Sequence, residues 1–179
     1  MRKLLVFAFA AACLVAGAAS AIAGLNDNFG THLKGRTENP PRDTQAQGQA
    51  IFHLSDDGQS MDYKLIVANI DNAFMAHIHI GATPTPGVNA PVAVWLYPGT
   101  TPLNPAPLDL GRKDGVIAEG TFTAANFTGP LTGQPMSALL AAIAQDRAYV
   151  NVHTNDGVDG PNTGPGDFPG GEIRAQLEQ

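Results

Sequence analysis

Apolar and polar side chains alternate with a period of two over much of this chain, and this pattern limits the fold more than any other feature. The clearest case is a pair of alternating runs at residues 50–54 and 61–67, which are separated by the polar segment Ser-Asp-Asp-Gly-Gln. Two alternating runs around an Asp-Gly turn are typical of a β-hairpin. The pattern therefore predicts antiparallel strands.

Six further segments have the composition of strands and lie between turns rich in Pro, Gly, Asn and Asp: residues 29–37, 74–80, 92–97, 115–122, 149–154 and 172–177. Residues 137–147 (SALLAAIAQDR) differ, since they contain neither Gly nor Pro and follow Pro135, which suits a helix start. Long loops are expected at 98–110 and 155–169. About eight strands predict an all-β fold, an antiparallel Greek-key-like β-sandwich with one short α-helix packed against it.

The N-terminal segment has the organisation of a secretory signal peptide. A basic start, Met-Arg-Lys, precedes an apolar run at 4–19, and the run closes on small-x-small patterns that end at Ala21 and Ala23. A membrane anchor is the alternative, but the run is short and ends in small residues. We therefore expect cleavage near residues 21–23, one domain at 24–179, a secreted or periplasmic location and no membrane contact after cleavage.

Composition excludes several classes of function. With 10 basic and 16 acidic residues the formal net charge is −6, which argues against a nucleic-acid partner. The one cysteine, Cys13, lies in the predicted signal peptide, so the sequence predicts no intrachain disulfide and no thiolate metal cluster. No serine lies in a Gly-x-Ser-x-Gly motif, which disfavours a hydrolase of that type.

Three histidines form a candidate metal site. His77 and His79 are two residues apart in the strand predicted at 74–80, so both rings point to one face and the isoleucines beside them point to the core. In the strand predicted at 149–154, His153 likewise faces away from the valines. If the two strands are neighbours, three imidazoles converge on one outer surface. Neutral nitrogen ligands of this kind suit copper, zinc or nickel.

The same residues have a second interpretation, in which the histidines are polar residues of a solvated sheet face and hold loops in place. For a metal site, Asn151, Glu172, Asp156 or backbone carbonyls are candidates to orient the rings. Arg174 is either an anion guide beside the metal, a partner in a cross-strand ion pair, or a donor that anchors a loop through its rigid fork of N–H groups.

Oxygen ligands cluster in the loop at 155–167. Its carboxylates are Asp156, Asp159 and Asp167, and calcium prefers such ligands. Their spacing does not match an EF-hand loop. The segment is therefore interpreted first as a turn region and second as a calcium site.

Four stretches, in order, resemble the CHRD domain family, named after the repeats described in chordin. They are residues 33–48 (LKGRTENPPRDTQAQG), 76–96 (AHIHIGATPTPGVNAPVAVWL), the predicted helix, and the pair 149–154 (YVNVHT) with 170–177 (GGEIRAQL). The resemblance covers about residues 29–178 and departs from the family pattern in the longer loop before GEIR. It implies an all-β module of secreted proteins and assigns no reaction.

A more local similarity concerns copper/zinc superoxide dismutase. It is carried by His77-Ile78-His79, Val152-His153 and Arg174, whereas no zinc loop matches and the disulfide of that enzyme has no cysteine to form it. Three hypotheses follow: an exported non-catalytic module that binds copper or zinc through three histidines, a copper-dependent redox enzyme with dismutase-like chemistry, and a metal-free module whose long loops bind an extracellular or periplasmic protein partner.

Overall fold

The structure, a computed structural model, describes residues 27–103, 106–158, 160 and 164–178. The predicted signal peptide at 1–23 and Asp159 lie outside the described residues. The strands are β1 (Asn28–Lys34), β2 (Gln47–Leu54), β3 (Ser60–Asp71), β4 (Ala73–Ile80), β5 (Val92–Tyr97), β6 (Arg112–Thr123), β7 (Ala148–Thr154) and β8 (Ile173–Gln176), and the α-helix is α1 (Met136–Ile143). Short 3-10 turns occupy Gly35–Thr37, Ala124–Asn126 and Gly129–Leu131.

All eight strands form one antiparallel sheet in the order β5-β4-β7-β8-β1-β2-β3-β6. The predicted hairpin is the pair β2–β3, in which Leu54 lies opposite Met61 and Ala50 opposite Leu65. Its apolar residues face inward as the alternation predicts, because Phe52 is buried and the neighbouring Ile51 is exposed. The all-β fold class is confirmed.

The sheet curls until its two ends meet, which makes the domain nearly barrel-shaped. The Tyr63 hydroxyl of β3 donates a hydrogen bond to the Leu96 carbonyl of the edge strand β5, at 2.8 Å. Close by, the backbone N–H of Thr128 donates to the Ala93 carbonyl at 2.9 Å. Residues from both ends of the sheet therefore share one core, and one continuous sheet supplies both of its layers.

Helix α1 covers part of this core with Met136, Leu139, Leu140 and Ile143, all of them buried. The helix ends at residue 143, four residues before the predicted end at 147. Asp146 takes a left-handed conformation (φ 56°), and the N–H of Arg147 donates back to the Ala142 carbonyl. The chain needs this tight turn to enter β7 immediately afterwards. Within the described residues, no helix combines the length and apolarity needed to cross a bilayer.

Removing the Tyr63 hydroxyl tests the closure of the sheet. Tyr63→Phe keeps the ring in the core but leaves the buried Leu96 carbonyl without this donor. We expect the free energy of unfolding, measured by urea denaturation, to fall by about 1–2 kcal/mol. An unchanged value would show that the sheet does not depend on this contact.

Candidate metal centre

The three histidines lie together because their strands are adjacent. His77 and His79 belong to β4 and His153 to β7, and the two strands pair without a register break from Met75 to Ile80. The candidate ligand atoms of the three rings all lie within 4.8 Å of one another. His77 Nδ1 and His153 Nε2 are 3.1 Å apart. The predicted convergence of three imidazoles is therefore present in the fold.

The prediction that this cluster lies on an outer surface is wrong. The exposed fractions of His77, His79 and His153 are 2%, 7% and 7%. Two loops cover this face of the sheet: residues 81–91, which connect β4 to β5, and the segment that precedes β8. The first brings the Ala90 carbonyl to His79 and the second brings the Pro169 carbonyl to His153. The site is a buried centre rather than a solvated patch.

Two backbone carbonyls determine the tautomers of these rings. His79 Nδ1 lies 2.7 Å from the Ala90 oxygen, and His153 Nδ1 lies 2.8 Å from the Pro169 oxygen. Since a carbonyl can only accept, each Nδ1 carries the hydrogen and donates it. The lone pair of each neutral ring is then on Nε2: that of His79 has no partner, and that of His153 faces His77 Nδ1 at 3.1 Å. Metal-ligating histidines are commonly oriented by such a hydrogen bond from the other nitrogen.

Several buried polar atoms of the cluster have no hydrogen-bond partner. They are His77 Nε2, His79 Nε2 and Asn151 Oδ1. If His77 Nδ1–H donates to His153, its own Nε2 lone pair has no partner. In the other tautomer, two lone pairs face each other at 3.1 Å. Each unpaired buried group costs about 1–3 kcal/mol. A cation between His77 Nδ1, His153 Nε2 and His79 Nε2 would pair the unpartnered nitrogen of His79 and replace the contact between His77 and His153.

Burial keeps all three rings neutral at pH 7. Burial, together with the nearby imidazoles of His153 and His79, lowers the pKa of His77 to about 2. Burial also lowers the pKa of His79 to about 4, although the hydrogen bond to the Ala90 carbonyl and the nearby Asn151 amide oppose the shift. The pKa of His153 is lowered to about 4, chiefly by burial. Neutral imidazole is the form that ligates a metal.

Aromatic rings hold two of the imidazoles in place. Tyr149 stacks on His79 with ring centroids 4.7 Å apart, and Trp95 meets His77 edge-on at 4.3 Å. The period-two pattern places Tyr149 on the same face as His153. No sequence pattern predicted that Trp95 lies near the histidines. It contacts His77 because β5 pairs with β4.

Of the three side chains predicted to orient the rings, the structure places one beside a histidine and two elsewhere. Asn151 lies beside His79, and its amide donates to Glu38 Oε1 at 3.3 Å. Glu172 is buried but accepts from the hydroxyls of Thr44 and Thr154 and from a backbone N–H; none of its hydrogen bonds in the described residues reaches a histidine. Asp156 is exposed and caps a turn. Only Asn151 belongs to the cluster.

The sequence analysis missed Glu38, which is 4% exposed at the far side of Asn151. It follows the 3-10 turn at Gly35–Thr37, more than a hundred residues from Asn151. Burial raises the pKa of this carboxyl, while the Asn39 N–H, Asn151 and the charge of Arg174 oppose the rise. No sequence pattern links Glu38 to the histidines.

Arg174 is 2% exposed and is engaged with a loop. Its guanidinium donates to the carbonyls of Thr85 (2.6 Å) and Val88 (2.8 Å) and to Asn89 Oδ1 (3.2 Å), and it lies 3.3 Å from the centre of the Tyr149 ring. These acceptors belong to the loop at 81–91 that supplies the Ala90 carbonyl. In this structure the guanidinium therefore holds in place the loop at 81–91, which covers the histidines.

A pocket of about 720 Å³ leads to the cluster from the side of β5. His77 and His153 form part of its wall, and the rest is mostly apolar: Phe74, Met75, Val92, Trp95, Leu103, Ala106 and Leu108, with Asn155. The pocket gives a small solute access to rings that are otherwise buried.

The calcium prediction for the loop at 155–167 is not supported by a converging carboxylate set. Among the described residues, the histidine cluster is the one group of three or more His, Cys, Asp or Glu side chains arranged to hold a metal ion. Asp159 lies outside the described residues, so the calcium site stays a prediction.

The sequence profile of the CHRD domain matches residues 29–161 of the chain, which is most of its length. This chain belongs to the CHRD domain family. The matched part of the CHRD domain contains β1 to β7 and all three histidines. It ends before β8, which is nevertheless an inner strand of the sheet between β7 and β1. No curated protein and no solved structure gives a significant match to the chain.

Proposed function

We propose that this CHRD domain is an exported, non-catalytic module that binds one transition-metal ion, copper or zinc, through His77, His79 and His153. The convergence of three buried neutral imidazoles, with unpaired nitrogens, supports the proposal above all else. Metal–nitrogen distances of about 2.0–2.1 Å place two ligand atoms of a tetrahedral ion about 3.3 Å apart. The 3.1 Å between His77 Nδ1 and His153 Nε2 fits this spacing, and since the three ligand atoms lie within 4.8 Å of one another, the third ring needs to move inward by at most about 1.5 Å.

The interpretation of the histidines as ordinary polar residues of a solvated face fits less well. Solvent would satisfy unpaired nitrogens on such a face, but these rings are buried and two Nε2 atoms have no partner. Their hydrogen bonds to Ala90 and Pro169 use only Nδ1 of His79 and of His153.

The copper-dependent redox enzyme is the second candidate. Three histidines leave a coordination position for a substrate, and the apolar pocket reaches two of them. However, the arginine that the dismutase resemblance offers as an anion guide donates to loop carbonyls and lies over Tyr149. We therefore favour binding without catalysis.

Calorimetric titration of the purified chain with Zn²⁺ and Cu²⁺, after removal of metal with EDTA, tests the proposal. We expect one ion per chain. His79→Gln and His153→Gln each replace a ligating imidazole by a neutral amide of similar size. Since loss of a residue that only orients a ligand costs about 10–100-fold in affinity, loss of the ligand itself is expected to weaken binding by at least about 100-fold. Circular dichroism establishes that the variants remain folded.

His32→Gln and His53→Gln are matched controls, because both residues are exposed on β1 and β2, away from the cluster. They should bind metal as the unchanged chain does. Equal, weak binding by all five proteins would contradict the proposal and favour the metal-free module that binds a protein partner. Superoxide turnover by the copper-loaded chain, lost in His79→Gln, would favour the redox enzyme instead.

A further inference from the structure

We propose that the thioether of Met75 is the fourth ligand of this centre and makes it selective for Cu(I) over Zn(II). The inference rests on the proposed function, since it adds one ligand to the three histidines and decides between the two metals. It is supported by the position of Met75 in the sheet, its exposure and the charge of the ligand set.

Strand register places Met75 at the cluster. It precedes His77 by two residues on β4, so Met75, His77 and His79 share one face of the strand. Across the β4–β7 pair, Met75 lies directly opposite His153. Residues opposite each other in an antiparallel pair have Cβ atoms about 4.5–5.5 Å apart, which is within reach of a methionine side chain. Met75 and His153 also line the same pocket.

Met75 differs from the other methionines that the structure describes. Met61 and Met136 are 1% and 2% exposed and pack in the hydrophobic core. Met75 is only half-buried and lies on the opposite face of β4 from the core residues Ala76 and Ile78. The hydrophobic core therefore does not explain this methionine, whose side chain instead lines the pocket beside His153.

The ligand set favours a soft, monovalent ion. Thioether sulfur binds Cu(I) well and adds little for Zn²⁺, whereas imidazole suits both metals. Three neutral imidazoles and a thioether carry no charge, so a bound Zn²⁺ would leave two positive charges in a buried site and Cu(I) only one. Glu38 lies behind Asn151, from which it accepts a hydrogen bond, and the positive charge of Arg174 lies near it.

Competition against chromogenic chelators measures the two affinities separately, with bicinchoninate for Cu(I) under anaerobic reducing conditions and a zinc indicator for Zn²⁺. Met75→Leu keeps the volume and removes the sulfur. We expect the Cu(I) affinity to fall by about tenfold or more and the Zn²⁺ affinity to stay within about twofold. Met61→Leu, a core methionine, is the matched control and should change neither affinity.

A second readout follows the Met75 ε-methyl group by NMR, assigned from its absence in Met75→Leu. Its resonance should shift more on addition of one equivalent of Cu(I) than with Zn²⁺, because only Cu(I) bonds to the sulfur. Equal Cu(I) affinities and equal shifts of the methyl resonance with the two ions, in a chain that binds both metals, overturn the role of Met75 and leave the three-histidine site intact. A chain that binds neither metal overturns the proposed function itself.

Discussion

Lowering the pH from 7 to 5 is expected to reduce the free energy of unfolding of the metal-free protein by roughly 5 kcal/mol. The cause is the buried cluster, where the pKa of His77 is lowered to about 2 and those of His79 and His153 to about 4. An unfolded histidine has a pKa of about 6.5. Below that pH the unfolded chain takes up three protons that the folded chain cannot accept.

The direction of the effect follows from this difference. The stability is fully present above pH ~6.5 and is lost as the pH falls, at up to about 1.4 kcal/mol per pH unit for each histidine until its folded pKa is reached. Glu38 acts in the opposite direction, because burial raises the pKa of its carboxyl in the folded state. It is one group against three, and its effect develops as the pH falls from the raised pKa of the folded carboxyl to the pKa of the unfolded one.

Urea denaturation at pH 7, 6 and 5, with EDTA present, measures this loss. The His79→Gln/His153→Gln double variant provides the control, since only His77 of the cluster still titrates. The double variant should show about a third of the pH dependence of the unchanged chain. A free energy of unfolding that is the same at pH 7 and pH 5 would falsify the prediction that the rings are buried and neutral.

Replacing Arg174 by methionine should lower the free energy of unfolding by at least about 3 kcal/mol. The guanidinium is buried and donates to the carbonyls of Thr85 and Val88, which would lose these donors. Its packing on Tyr149 would also change. Because the same loop supplies the Ala90 carbonyl to His79, we expect Arg174→Met to weaken metal binding as well.

Denaturation and metal titration of the same variant separate the two roles considered for this arginine. Arg36→Met is the matched control, because Arg36 is exposed near the same loop, and its effect should stay within about 0.5 kcal/mol. If Arg174→Met kept its stability and its metal affinity but lost superoxide turnover in the copper-loaded protein, the arginine would be an anion guide rather than a loop anchor.

Much of the local structure could be predicted from the sequence. Alternation identified the strands and their apolar faces, so the pairing of β2 with β3 and the inward direction of Phe52 agree with the pattern. The same reasoning placed His77 and His79 on one face. These features depend on neighbours a few residues away, where backbone geometry alone relates side-chain direction to sequence.

The predicted ends of the helix and of the first strand were less accurate, because the path of the chain to the next element determines where each of them stops. Composition extended the helix to residue 147, but the chain turns at Asp146 to reach β7. The first strand was predicted through residue 37 and ends at residue 34, because the chain continues into the 3-10 turn at Gly35–Thr37. Glu38, which follows that turn, meets Asn151 only through this bend.

The sequence by itself determined the strand content, the hairpin and the polarity of each strand face, and with them a row of imidazoles on β4. Only the tertiary structure decided that β4 and β7 are neighbours and that loops bury this polar face. Pairing between strands that lie about 70 residues apart, and packing of loops held by Arg174, are long-range properties of the whole sheet. Alternation reports which side of a strand is polar, whereas burial depends on what later folds over that side.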